Sequence, residues 1–122
     1  KLIPKFVELL KKNKKVTIQG DGTQLRSFLH VSDVVNGFEI ILDNGVIGEI
    51  YNIGGDMNSE ISVMNIAKLL IKKIQNTDNY NEWISYIEDR PFNDKRYFIS
   101  NKKLKSLGWN IQKPDLDLSN II

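Results

Sequence analysis

The sequence has no cysteine, a single histidine and only three arginines among its 17 basic side chains. Each scarcity removes a class of chemistry. Without cysteine there is no disulfide framework, no thiolate nucleophile and no Cys-ligated metal. The one histidine, His30, lies in a β-rich run, where a lone imidazole reads as a packing or surface residue rather than a base. No tyrosine is followed by a lysine four positions on, so a Tyr/Lys redox pair is missing too. No apolar run is long enough to cross a bilayer and no stretch reads as a signal peptide, so the cytosol is the default compartment. A dominant charge is also lacking. The formal net charge of +2 is too small to call for a nucleic-acid or membrane partner.

What is present is a globular composition. With 122 residues and 41% apolar content, the chain reads as one region, residues 1–122, able to bury a modest core. Its lysines cluster at 11–15, 72–73 and 102–105, as solvated helix faces do.

The pattern along the chain alternates helix and strand, which predicts an α/β fold. Pro4 opens a helix with Phe6, Leu9 and Leu10 on one stripe. Val16–Gln19 and Ser27–Val31 read as a strand pair around a glycine turn. Ser32 is placed to cap a helix through Val34, Val35, Phe38, Ile41 and Leu42. A strand is expected over Glu49–Ile53, ended by Gly54-Gly55. Ser62 caps what reads as the longest helix, with Val63, Ile66, Leu69, Leu70 and Ile74 on one face. Trp83–Ile87 reads as a strand, and Asp89–Asn93 as irregular because of Pro91. Ser100 is expected to cap a short helix that Gly108 ends. Leu116–Ile122 reads as a helix start. The first and last segments both look cut from a longer chain, which predicts exposed apolar surface, with Phe6, Leu9, Val34 and Phe38 as candidates.

Gly20-Asp21-Gly22, just after the first strand, poses the question of a phosphate cradle. A dinucleotide fingerprint needs a third glycine where Leu25 stands, and a helix rather than a β-rich run after it. The glycines therefore read as a turn, which brings Arg26 just behind it. Arg26 follows a glycine turn and Arg90 precedes Pro91. Guanidinium groups at such places suit a diphosphate, which they grip through two parallel bonds, or else are surface ion-pair arginines. Glu88–Asp94, dense in charge and turn formers, is a ligand loop or an ordinary solvated one.

Taken together, five stretches resemble one family. They are Lys1-Leu2-Ile3-Pro4-Lys5-Phe6, Gly20-Asp21-Gly22 with Arg26-Ser27-Phe28-Leu29-His30-Val31 and Asp33, Tyr51-Asn52-Ile53-Gly54-Gly55, Asp89–Tyr97, and Leu107-Gly108-Trp109. In order and spacing they are similar to the C-terminal part of nucleotide-sugar 4,6-dehydratases, which are extended short-chain dehydrogenases/reductases acting on dTDP-glucose or UDP-glucose. The Arg-Pro-x-x-Asp-x-Arg-Tyr run is the most specific piece. Phe92-Asn93-Asp94 looks closer to the UDP-glucose branch of plant rhamnose synthases and to animal relatives.

The resemblance implies the substrate-binding portion of such an enzyme, without the N-terminal Rossmann part that carries NAD and the catalytic groups. It also implies a reaction: oxidation at C4, loss of water across C5–C6 and return of hydride to C6, in a homodimeric parent enzyme. Residue by residue, it puts Lys1, Leu2 and Pro4 along the nucleotide, and Thr17 and Gln19 beside the base. Arg26 and Arg90 fall on the diphosphate, and Asn93 in the same loop as Arg90. Glu60 is the nearest match, with a one-residue gap, to a position after Gly55 that is often Asn in the bacterial dTDP-glucose branch, and it joins the substrate-binding set on that ground. No catalytic, cofactor-binding or metal-binding residue is expected in this chain itself. The alternatives are an epimerase or decarboxylase of the same superfamily, or a stand-alone nucleotide-binding module.

Overall fold

A computed structural model describes residues 1–116 and 118. The chain forms two compact units, Lys1–Leu25 with Ile61–Arg96, and Arg26–Glu60 with Tyr97–Leu116.

The first unit is a helix pair on a two-stranded parallel sheet. α1 (Leu2–Lys11) buries Ile3, Phe6, Val7 and Leu10, an i, i+3, i+4, i+7 stripe. Pro4 falls in its first turn, where a missing N–H costs nothing. α3 (Val63–Gln75) buries Val63, Ile66, Ala67, Leu70 and Ile71 on the same spacing and packs on α1. Its N-terminus is capped by Ser62, whose Oγ accepts from the Asn65 amide at 3.1 Å. Gln75 Nε2 donates to the Leu10 carbonyl at 2.6 Å and ties the two helix ends together. β1 (Val16–Gln19) runs parallel to β4 (Ile84–Ile87), from Val16 opposite Ile84 to Gln19 opposite Ile87. Val16 and Ile18 point into the core and are fully buried, which turns Thr17 and Gln19 to the opposite face.

The second unit holds α2 (Val31–Asn44), irregular segments and the short α4 (Lys102–Lys105) around Trp109 and Leu104, both fully buried. Gly37 faces this core. A methyl group there would lie 3.3–3.4 Å from Ile53, Leu104 and Trp109. β2 (Leu25–Ser27) and β3 (Glu60–Ser62) pair with each other.

Several expectations are corrected. The hairpin does not form: β1 pairs with β4 and not with the next strand, which is Leu25–Ser27 and not Ser27–Val31. The turn residues instead bond elsewhere, Met64 N to Gly22 O at 2.9 Å, Val63 N to Gln24 O at 3.0 Å and Leu25 N to Lys95 O at 2.7 Å. The glycines still turn the chain, with φ of +62° at Gly20 and +76° at Gly22. α2 is capped by His30 rather than Ser32, the imidazole Nδ1 accepting from the Ser32 amide at 3.1 Å. α2, with 14 residues, is one residue longer than α3. Glu49–Ile53 is not a strand, since nothing pairs with it among the described residues. Asn101 stands between Ser100 and α4 and makes no side-chain cap, while Ser100 Oγ accepts from the Lys102 amide at 3.4 Å. Phe6 is buried, whereas Phe38 is exposed. The helix start expected over Leu116–Ile122 lies, but for Leu116 and Leu118, outside the described residues.

Candidate functional site

In the first unit the loop after β4 folds onto the turn after β1. Gly20 N donates to Ile87 O at 3.0 Å, and a methyl group on Gly20 would meet the Asp89 side chain at 3.3 Å. Asp89 Oδ1 accepts from Asn93 Nδ2 at 2.8 Å. Asn93 Oδ1 in turn accepts from Arg90 Nε at 3.2 Å and Nη2 at 3.1 Å. The loop closes through Phe92, whose φ of +62° is left-handed. The sequence-chosen residues Arg90 and Asn93 thus meet, with Asp89 beside them, while Gln19 stands opposite Ile87 at the end of β1. The Arg90 guanidinium is held on one edge by an amide oxygen, an arrangement that orients a cation without neutralising it. Thr17 stands on the same face of β1 as Gln19. Lys1, Leu2 and Pro4 stand at the start of α1, Lys1 as its N-cap residue.

Arg26 and Glu60 belong to the second unit. The Arg26 guanidinium carbon stacks 4.5 Å from the centroid of the Tyr97 ring. Tyr97 is also a wall of a cleft of about 220 Å³, lined by Ser27, Leu29, Ile53, Gly54, Gly55, Phe98 and Ile99 as well. Two glycines leave this space open. A methyl group on Gly54 would come 2.7 Å from Ile99 Cγ1. One on Gly55 would run into the Ser27 hydroxyl and come 2.7 Å from that of Ser59. Those hydroxyls bond each other at 3.1 Å, and Ser59 Oγ donates to Asp56 O at 2.6 Å. Beneath the glycines, Asn101 Nδ2 donates to Gly54 O at 3.0 Å and to Asp56 Oδ1 at 2.9 Å. Lys105 Nζ lies 2.8 Å from the same carboxylate oxygen. The hydrogen bonds from Asn101 and Lys105 hold the Asp56 carboxyl below its usual range.

Glu60 lies on β3 and does not line the cleft. Tyr97 and the apolar walls Leu29, Ile53 and Ile99 had no site role assigned from sequence. The signal was there, in the Arg-Tyr end of the Arg-Pro-x-x-Asp-x-Arg-Tyr run. Among the described residues no three His, Cys, Asp or Glu side chains gather as a metal site, and no helix is long and apolar enough to cross a membrane. The Gly20–Gly22 turn leads into β2 and not into a helix N-terminus, so it does not fit the pyrophosphate of a dinucleotide.

Residues 1–54 match the family described as NAD dependent epimerase/dehydratase. A solved dTDP-glucose 4,6-dehydratase from Bacillus anthracis, in complex with NAD, superposes with a TM-score of 0.77 at 33% identity, over 92% of this chain and 34% of that one. The fold is α/β, and it is that of part of an extended short-chain dehydrogenase/reductase. The mouse dTDP-D-glucose 4,6-dehydratase is 47% identical over 93% of this chain and 32% of its own length. A trifunctional UDP-glucose 4,6-dehydratase, epimerase and reductase of Arabidopsis thaliana is 42% identical over 90% of this chain and 16% of its own. Within that class the chain is homologous to the nucleotide-sugar 4,6-dehydratases and spans about a third of the length of the animal relatives it matches, 32% in the mouse protein.

Proposed function

We propose that this chain is the portion of an NAD-dependent dTDP- or UDP-glucose 4,6-dehydratase that holds the nucleotide sugar. The observation that carries the reading is Arg26 laid on Tyr97, a wall of an apolar cleft opened by Gly54 and Gly55. Arg26 and Arg90 take the diphosphate, each as a permanent cation with a planar fork. Asn93 orients Arg90. Thr17 and Gln19 border the base, and Lys1, Leu2 and Pro4 the rest of the nucleotide. Glu60, on β3 and outside the cleft, completes the substrate-binding set. The sequence likeness to dehydratases favours dehydration over epimerisation.

The reaction class is lyase, with NAD held by residues other than these. The parent enzyme is a homodimer in the cytoplasm, without nucleic-acid or membrane partners. This chain on its own binds and does not turn over, because it has no Tyr/Lys pair. Calorimetric titration with UDP-glucose and dTDP-glucose tests the reading, with circular dichroism as the check on folding. Arg26→Ala or Arg90→Ala should weaken binding about 10- to 150-fold, the loss of one charge-assisted hydrogen bond of roughly 1.5–3 kcal/mol. Arg26→Lys should not restore it, since ammonium lacks the fork. Folded variants that bind like the unaltered chain would overturn the assignment, and 4-keto-sugar formation by the chain with NAD⁺ alone would overturn the division of labour.

A further inference from the structure

Leu25 pairs in parallel with Arg96, and its amide donates to the Lys95 carbonyl at 2.7 Å. In a parallel register the next residue on each segment is a neighbour too, and both side chains turn away from the face that Leu25 and Arg96 use. Those next residues are Arg26 and Tyr97. Their contact, guanidinium carbon to ring centroid at 4.5 Å, is therefore set by the backbone and not by a chance rotamer. Tyr97 is 50% exposed, so its ring is not spent on the core. Its hydroxyl makes no hydrogen bond among the described residues. What the ring touches is Arg26 and the space of the cleft.

We infer that Tyr97 is the positioning residue of Arg26: its ring holds the guanidinium in the pose that meets a diphosphate, through the π face and without the hydroxyl. The inference rests on the reading of Arg26 as a diphosphate ligand. Arginine has a long side chain, and ordering it is a large part of what binding through it costs. A ring beneath the guanidinium meets that cost in advance, because its negative face attracts the cation. The N–H donors of a guanidinium lie in its plane, so a ring on its face takes none of them, and the fork for two parallel bonds to phosphate stays usable. A carboxylate in the same place would also fix the side chain, but it would cancel the charge that draws the anion. The ring fixes the pose and leaves the charge whole.

Calorimetry with UDP-glucose and dTDP-glucose on the whole chain tests this, with circular dichroism to confirm folding. Tyr97→Leu should weaken binding about 2- to 30-fold, the range of a cation–π contact. Tyr97→Phe should keep the affinity, because it keeps the ring. In the Arg26→Ala background Tyr97→Leu should add almost nothing, since no guanidinium is left to orient. A measurement without ligand reads the stack directly. In nuclear magnetic resonance spectra the Arg26 side-chain protons should lie upfield under the ring, return to ordinary positions in Tyr97→Leu and stay upfield in Tyr97→Phe. Loss of affinity in Tyr97→Phe, additive losses with Arg26→Ala, or Arg26 protons indifferent to Tyr97→Leu would overturn the inference. Arg26→Ala that weakens binding beside a folded Tyr97→Leu that does not would strike this inference alone. Arg26→Ala that binds like the unaltered chain would strike the reading of Arg26 as a ligand, and this inference with it.

Discussion

The indole N–H of Trp109 donates to the backbone carbonyl of Asp33 at 2.9 Å, across 76 positions of sequence. Asp33 returns the tie with its side chain, Oδ1 accepting from Gln112 N at 2.9 Å and Oδ2 from Lys113 N at 3.0 Å. Both residues are fully buried. One carboxylate on the first turn of α2 therefore fixes the course of the segment after Trp109. Asp33→Ala should destabilise the chain by about 2–3 kcal/mol, because it removes two charge-assisted bonds and leaves their amides to find water. The shift in urea midpoint measures it, and a loss under about 1 kcal/mol would mean that the segment is held by packing alone.

Arg90 and Asn93 should act as one unit. Asn93→Ala frees the guanidinium to adopt other rotamers, and nucleotide-sugar affinity should fall by roughly 3- to 10-fold, the order of one neutral hydrogen bond. The double variant with Arg90→Ala should bind no worse than Arg90→Ala alone, since the amide has nothing left to orient. Additive losses measured by calorimetry would show Asn93 touching the ligand by its own contacts.

Gly55→Ala should cost about 1–3 kcal/mol of stability, as overpacking does, since its methyl group runs into the Ser27 hydroxyl. Ser27→Ala in the same chain should recover part of that loss by removing the obstructing atom. Thermal unfolding of the three variants reads both effects, and no recovery in the double variant would place the clash elsewhere.

Acid should dissolve the network under the cleft. The Asp56 carboxyl is held below its usual value by Asn101 and Lys105, so its folded pKa lies below its unfolded one. Its contribution is complete above the unfolded value of about 4 and is lost as pH falls through the folded one. The stability gap between the unaltered chain and Asp56→Asn should therefore be widest at neutral pH and close in stronger acid. Urea midpoints along a pH series follow it, and a gap that widens on acidification would reverse the sign of the linkage.

Local chemistry made much of this legible. Ser62 caps α3 as its place before an apolar run demands, and β1 and β4 stand where alternation and β-branching put them. Pairing was not legible. Two strands flanking a glycine turn look like a hairpin from sequence, yet the amides of Val63, Met64 and Leu25 bond to the turn or to Lys95 and occupy the groups a hairpin would use. Glu49–Ile53 has strand composition, but a strand exists only with a neighbour, and the described residues offer none. His30 was read as packing or surface, and its role as a cap needed the geometry of its Nδ1. Of the candidate site, both arginines were singled out by their turns. Tyr97 ends the Arg-Pro-x-x-Asp-x-Arg-Tyr run, but that motif does not say that its ring meets Arg26, a partner distant in sequence.

The parallel register of β1 against β4 has a consequence in time. Parallel neighbours cannot be joined by a tight turn, and here the whole of β2, α2, β3 and α3 lies between Val16 and its partner Ile84. At roughly 5–20 residues per second, synthesis presents β1 several seconds before β4 exists. In that interval Val16 and Ile18 have α1 beside them but an open edge on the side that β4 later closes. The helices, built from local contacts, form early, and the ladder closes last. Each newborn copy therefore passes through a stage in which Val16–Gln19 can pair with the wrong strand, its own or a neighbour's.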